Sequence, residues 1–309
     1  MRNAFADEMT QLAKADPRVM LLSGDIGNKL FDPFKKVAAK RFLNCGIAEA
    51  NMMGVAAGLA LNGLRPVVYT ITPFTTTRCF EQIRVDVCYH EAPVVIVGTG
   101  SGLSYAELGP THHSLEDLAI LRTLPGMQVI APCDETEMRQ ALRQSLQSIH
   151  PTYIRIGKKG EPAIHDPSVE FKIGKAIKIL DGRDILIVAT GTLMPNVLAA
   201  AKLLGTEGLS AQVASFHTIK PLDEDYLQQA FKDCKLVVTV EEHGRLGGLG
   251  SAVSEFISQF GSHPPLLRLG TLDEFMHEMG TQEYARIRYG LDAPGIARQI
   301  LQYFLKSCA

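Results

Sequence analysis

The chain has 309 residues, of which 46% are hydrophobic and 21% charged, and a formal net charge of −2. That balance gives no electrostatic footing for nucleic acid or an anionic membrane, and no apolar run approaches the roughly 18 residues that span a bilayer. A chain of this length divides into two cores more readily than it fills one.

The opening stretch MRNAFADEMTQLAKAD reads as a charged amphipathic helix and not as a signal peptide. Apolar runs of strand length follow at Val19–Ser23, Pro66–Ile71, Pro93–Val97, Gln128–Ala131 and Tyr153–Ile156. Helical patterns lie between them at Ala48–Leu61, Thr77–His90, Leu115–Thr123 and Glu135–Ser148. Continuous Val/Ile runs separated by helices predict an α/β fold, a doubly wound parallel sheet covered on both faces, over residues 1–157. Residues 158–172, rich in Pro, Gly and charge, predict a linker. A second, smaller doubly wound unit is expected over 173–309. Its strands are Ile185–Ala189, Ala211–Ser215 and Leu236–Val240, and its helices are Asn196–Leu204, Glu224–Phe231, Ser251–Phe260 and Gly295–Phe304. The six cysteines (Cys45, Cys79, Cys88, Cys133, Cys234, Cys308) form no CxxC pair and show no metal-ligand spacing. They read as buried thiols of a reducing, cytoplasmic compartment.

The segment Gly46-Ile47-Ala48-Glu49-Ala50-Asn51-Met52 sets one carboxylate at the head of a helix rich in small residues. A poorly solvated carboxylate keeps or shares its proton more readily, which makes Glu49 a candidate acid or base. The plainer reading is a helix-start charge favoured by the macrodipole. Three further segments stand beyond strand ends or in long loops: Thr72-Pro73-Phe74 leading to Arg78, Gly109-Pro110-Thr111-His112-His113-Ser114, and Tyr153-Ile154-Arg155. In open parallel sheets that edge is where ligands bind. Taken singly, the histidines read as turn residues and Arg155 as half of an ion pair. Glu241-Glu242-His243 looks like a metal cluster, but adjacent strand residues point to opposite faces and cannot converge on one ion. The run Gly244-Arg245-Leu246-Gly247-Gly248-Leu249-Gly250 lacks the dinucleotide spacing and reads as a turn into the helix at Ser251.

In this order, and joined by FHTIKPLDEDYL and VVTVEEHGRLGGLGSAV, these segments resemble the transketolase family of thiamine diphosphate enzymes from about residue 2 to about residue 303. The likeness is to a pyrimidine-binding domain followed by the family's C-terminal domain, as in the separately encoded C-terminal subunit of split transketolases. The resemblance implies that Glu49 shifts the cofactor's aminopyrimidine to its imino form. It implies a ring that stacks on the pyrimidine, Phe74 in preference to Phe80, with Arg78 lining the pocket. His112 would face the substrate carbonyl, His113 has no assigned part, and Arg155 would grip the anionic end of a sugar.

Two positions depart from the family. Gly100 stands where transketolases usually carry histidine and deoxyxylulose-phosphate synthases arginine, and Leu108 stands where transketolases carry an aspartate that reads a sugar hydroxyl. A site without those partners holds that hydroxyl poorly, which points to an anionic ketose phosphate or sulfonate other than an ordinary pentose phosphate. The family's diphosphate and Mg2+ signature is missing, since Ser23-Gly24-Asp25-Ile26-Gly27 has only part of it, and no metal ligand is assigned. The resemblance therefore implies a diphosphate-binding N-terminal partner subunit, with a homodimer of this chain inside an α2β2 assembly. The alternatives are the β subunit of a 2-oxoacid dehydrogenase, an acyloin-forming or deoxyxylulose-phosphate-synthase-like enzyme, and a non-catalytic paralogue.

Overall fold

The computed structural model describes residues 1–27 and 29–307, so Cys308 and Ala309 at the end of the expected second unit lie outside the described residues. Strands β1 (Val19–Ser23), β2 (Phe42–Asn44), β3 (Arg65–Ile71), β4 (Val95–Thr99), β5 (Gln128–Ile130) and β6 (Thr152–Ile156) pair in parallel. The remaining strands are β7 (Ile177–Leu180), β8 (Ile185–Ala189), β9 (Ala211–Ser215), β10 (Thr218–Lys220), β11 (Leu236–Gly244) and β12 (Leu266–Thr271). They form a seven-stranded sheet in the order β10-β5-β6-β4-β3-β1-β2 and a five-stranded sheet in the order β12-β11-β8-β9-β7. Both sheets are mixed and mostly parallel: β10 runs antiparallel to β5, and β7 antiparallel to β9. The expected parallel sheet thus gains one antiparallel strand at its edge, donated by the second half of the chain.

The near-continuous apolar strands follow from two covered faces. Leu22, Val68, Ile96 and Tyr153 enter one core, while Leu21, Val67, Val97 and Ile154 enter another. The first core is shared. It runs from the helix Glu49–Leu61 through Leu118 and Leu121 to Val237, Val253 and Phe256 of the second unit. Ala56, Ala57 and Ala60 form the buried side of that helix, and Gly58 faces open space.

Sequence patterning missed β2 and β10, which have three residues each, and β7, whose residues alternate between half-buried and exposed at a sheet edge. It also missed β12 and the helices Asp32–Ala38 and Gln282–Arg288. The single helix expected over Thr77–His90 is instead broken. A tight turn at Thr77–Cys79 and a helical turn at Phe80–Gln82 lead into a π-helical stretch at Ile83–Tyr89. Buried Cys79, Ile83 and Val87 recur at every fourth residue, and the widened turns keep that line against the core. The chain over 158–172 has no regular structure but is fastened: Phe171 is buried and its ring stacks on His217, centroids 4.0 Å apart.

Register places the site. Ile71 pairs with Thr99 and Thr99 with Ile156, so the loops that follow these three residues leave the sheet side by side.

Candidate active site

Glu49 is the first residue of its helix, where a carboxylate suits the positive end of the helix dipole. The turn before it uses Gly46 at φ +65°, whose amide donates to Asn44 Oδ1 at 2.9 Å. The carboxylate is only 5% exposed. Arg78 Nη1 donates to Glu49 Oε2 at 3.0 Å, and the guanidinium carbon lies 4.0 Å from the centroid of the Phe74 ring. His112 stands edge-on to Phe74, with centroids 5.4 Å apart, and Tyr105 lies 6.2 Å beyond it. Glu49, Arg78, Phe74, His112 and Tyr105 thus form one row across three loops. Phe80 is half-buried against the core, away from this row, as its place in the helix suggests.

Each member is aimed by local structure. Pro73 begins the short helix Thr72–Thr75, and the Thr75 and Thr76 hydroxyls both donate to Thr72 O, which fixes the turn carrying Phe74. His112 Nδ1 lies 3.0 Å from Thr111 Oγ1. His113 is buried behind it. Burial lowers its pKa, only partly offset by the Ala106 carbonyl.

Gly100 has φ +86°, and a Cβ there would collide with the Tyr105 ring at Cε2. The departure from the family at this position is therefore steric as well as polar: the Tyr105 ring takes the space of a side chain at residue 100. Lys158 sits over the other part of that ring, 4.6 Å from its centroid, and is ion-paired with Glu107. Leu108 is 46% exposed and lies outside the row.

Arg155 is held by the fold around it. It is 4% exposed, and its Nη2 donates to Ser114 O at 2.6 Å and Glu242 O at 2.7 Å, while Nε lies 3.2 Å from Asp117 Oδ2. Tyr153 also donates to that Asp117 oxygen, at 2.6 Å. A guanidinium buried and engaged in this way ties the Gly100–Ser114 loop to the second unit.

Each side chain of the Glu241-Glu242-His243 run has its own partners, and His243 Nδ1 also lies 3.8 Å from Glu241 Oε2. Glu241 accepts the amides of Leu249 and Gly250 at the start of the helix Leu249–Ile257, at 2.7 and 2.8 Å. Glu242 accepts Leu103 N at 2.7 Å and is paired with Arg286 at 2.5 Å. His243 Nε2 accepts from Ala119 N at 3.4 Å. Glu242 and Tyr105, which shape the Gly100–Ser114 loop, carry no sequence signal of that role. Their partners are loop residues fixed only by the fold.

A cavity of about 740 Å³ lies apart from Glu49, which is not among its lining residues. It is a groove between His113, Leu115 and the segment Leu272–Met276, and its lining includes the exposed Leu246 and Phe275.

Comparison with known proteins identifies the two domains. Residues 1–161 match the transketolase pyrimidine-binding domain, and residues 174–296 match the transketolase C-terminal domain. The chain is 35% identical to a subunit of the apulose-4-phosphate transketolase of Phocaeicola vulgatus, over 99% of this chain and 97% of that protein. It is 36% identical to a 6-deoxy-6-sulfo-D-fructose transketolase subunit of Clostridium sp. strain MSTE9, over 96% of this chain and 92% of that one. Among solved structures, a split gene transketolase described as an inactive beta4 tetramer superposes with a TM-score of 0.88 at 34% identity, covering 97% of this chain and 96% of that chain. With a family domain at each end and full-length relatives above 30% identity, this chain belongs to the transketolase family.

Proposed function

We propose that this chain is the C-terminal subunit of a split transketolase, which moves a two-carbon ketol unit from an anionic ketose to an aldose. The observation that carries the reading is the buried Glu49 carboxylate, bridged by a flat guanidinium that also lies on the Phe74 ring. A slot that holds a planar nitrogen-rich group between a carboxylate and an aromatic face is chemically suited to an aminopyrimidine. The residues present therefore fit the pyrimidine half of thiamine diphosphate. When bound, that cofactor supplies the activated carbon that takes up and releases the two-carbon unit.

In this reading Glu49 holds a proton at a ring nitrogen of the bound cofactor. Phe74 supplies the stacking face, and Arg78 lines the slot and withdraws its guanidinium as a ring enters. His112, in line with Phe74, donates to the substrate oxygen as charge develops there. The diphosphate and Mg2+ are held by a separate subunit, because this chain carries no recognisable diphosphate signature. The relatives named as transketolase subunits support such a partner, and the exposed Ile47, two residues before Glu49, supplies an apolar contact for it. With Arg155 engaged in the domain contact, Lys158 beside Tyr105 is the cation placed near the row to attract a phosphate or sulfonate.

The test is co-expression with a diphosphate-binding subunit and assay with thiamine diphosphate, Mg2+ and a panel of ketose phosphates, ketose sulfonates and 2-oxoacids. Ketol transfer without carbon dioxide release supports the reading. Decarboxylation of a 2-oxoacid, or turnover by this chain alone, rejects it.

A further inference from the structure

Away from that row, three side chains from distant parts of the chain meet in the interior. Cys133 follows β5, Glu137 lies in the first turn of the helix Glu135–Gln147, and His165 comes from the irregular segment between the two sheets. His165 Nε2 lies 3.6 Å from Cys133 Sγ and 2.9 Å from Glu137 Oε1. The three ligand atoms all fall within 4.8 Å of one another. Cys133 is buried, Glu137 is fully buried, and the His165 side chain is 5% exposed.

The surrounding hydrogen bonds aim this set without using its three donor atoms. Asp134 Oδ2 accepts the amides of Ile164 and His165, at 2.9 and 2.7 Å. Asp134 Oδ1 accepts Glu137 N at 2.9 Å. The other Glu137 oxygen, Oε2, accepts Cys133 N at 2.7 Å, which leaves Oε1 turned toward the imidazole. Next to them, at the end of β9 and just beyond it, Ser215 Oγ and His217 Nε2 are buried with no hydrogen-bond partner among the described residues.

One ring nitrogen offers a single N–H or a single lone pair, yet here it faces a thiol and a carboxylate together. A tetrahedral zinc ion with Zn–S near 2.3 Å and Zn–N and Zn–O near 2.1 Å separates its ligands by about 3.4–3.6 Å. The 3.6 Å Cys–His separation meets that spacing, and the 2.9 Å His–Glu separation needs to open by about half an ångström. A thiolate and a carboxylate also neutralise a divalent cation, so the ion would add no net charge to the interior, and a mixed S/N/O set suits zinc over the harder magnesium or calcium.

We propose that Cys133, Glu137 and His165 form a zinc site that clips the inter-sheet segment to the first sheet. Because the cluster is enclosed, the metal would enter during folding. The test is zinc content of the full chain, purified from zinc-supplied cells and dialysed, together with cobalt spectroscopy of the chain refolded with Co2+. The expected result is one zinc per chain and, in the cobalt form, a thiolate charge-transfer band with tetrahedral d–d bands. The charge-transfer band disappears in Cys133→Ser, and His165→Gln lowers metal occupancy at least tenfold. A wild-type chain that holds no stoichiometric zinc and gives no thiolate–cobalt band overturns the proposal and leaves a hydrogen-bonded ion pair. So does a band that persists in Cys133→Ser, which would place the ion on another cysteine.

Discussion

Glu49 carries the chemistry of the proposed function, and its neutral isostere tests it. Glu49→Gln keeps size and helix start, so circular dichroism and melting should match the parent. Turnover by the two-subunit complex should fall by about 10²–10⁴, the range of a lost acid–base group. Gly100 makes a different kind of claim. Its φ of +86° and the Tyr105 ring in the path of a Cβ predict that Gly100→Ala destabilises by on the order of 1–3 kcal/mol from backbone strain alone. Adding Tyr105→Ala should recover the part due to crowding, and a Gly100→Ala chain that melts like the parent would show that the ring does not fill that space. His113 sets a pH dependence. Burial lowers its folded pKa below the ordinary 6.5, so the unfolded chain takes up the proton first as pH falls. Its contribution is fully present above 6.5 and is lost as pH drops through 6.5 toward the folded value. Denaturant melts of His113→Asn should show a shallower decline over that window. Of these residues, Glu49, Phe74 and His112 were legible in the sequence because their segments have distinctive composition. Tyr105 was not, because its role is a distance to a residue five positions away across a loop that only the fold closes.

At the scale of elements, the strands with fully buried, continuous apolar runs were legible, and so were most of the amphipathic helices between them. The short or edge strands were not: β2 and β10 are too brief to show a period, and β7 shows a half-exposed face that reads equally as loop. Arg155 belongs to this scale. Its position at a strand end was legible, but its task was not, because the carbonyls of Ser114 and Glu242 that hold it lie 41 and 87 residues away. Arg155→Met leaves Asp117 buried without its cation, and breaking such a pair removes about 3–5 kcal/mol. The expected outcome is a large drop in melting temperature, with KM for phosphorylated donors unchanged where the protein is still folded. A loss of affinity confined to anionic donors at normal stability would return Arg155 to the substrate. The Glu241-Glu242-His243 run makes the same point from the other side. Strand alternation set Glu242 apart from Glu241 and His243, while the partners of the run, one helix start and the Gly100–Ser114 loop, could only come from packing.

For the whole molecule, the first core joins both sheets through Leu118, Val237 and Phe256, so the two halves should unfold together. The exposed apolar residues near the site, Ile47 at 81% and Phe275 at 67%, mark surfaces that a subunit would cover. Ile47→Glu should therefore weaken assembly with the diphosphate-binding subunit, read by size-exclusion chromatography of the mixture, while the melting temperature of the isolated chain stays within about 0.5 kcal/mol of equivalent stability. An unchanged elution profile would remove Ile47 from the interface. By itself the sequence determined the α/β class, the two-unit organisation in outline, the family, and the residues whose chemistry stands out within a short segment. Those properties are set by local period, composition and motif order, which a linear chain displays directly. The tertiary structure alone decided that β10 joins the first sheet, that Arg155 meets the carbonyls of Ser114 and Glu242, that Tyr105 takes the space at Gly100, and that Cys133, Glu137 and His165 meet. Each of these depends on which distant backbone groups come within a few ångströms, and that is fixed by packing across the sheets, not by neighbours along the chain.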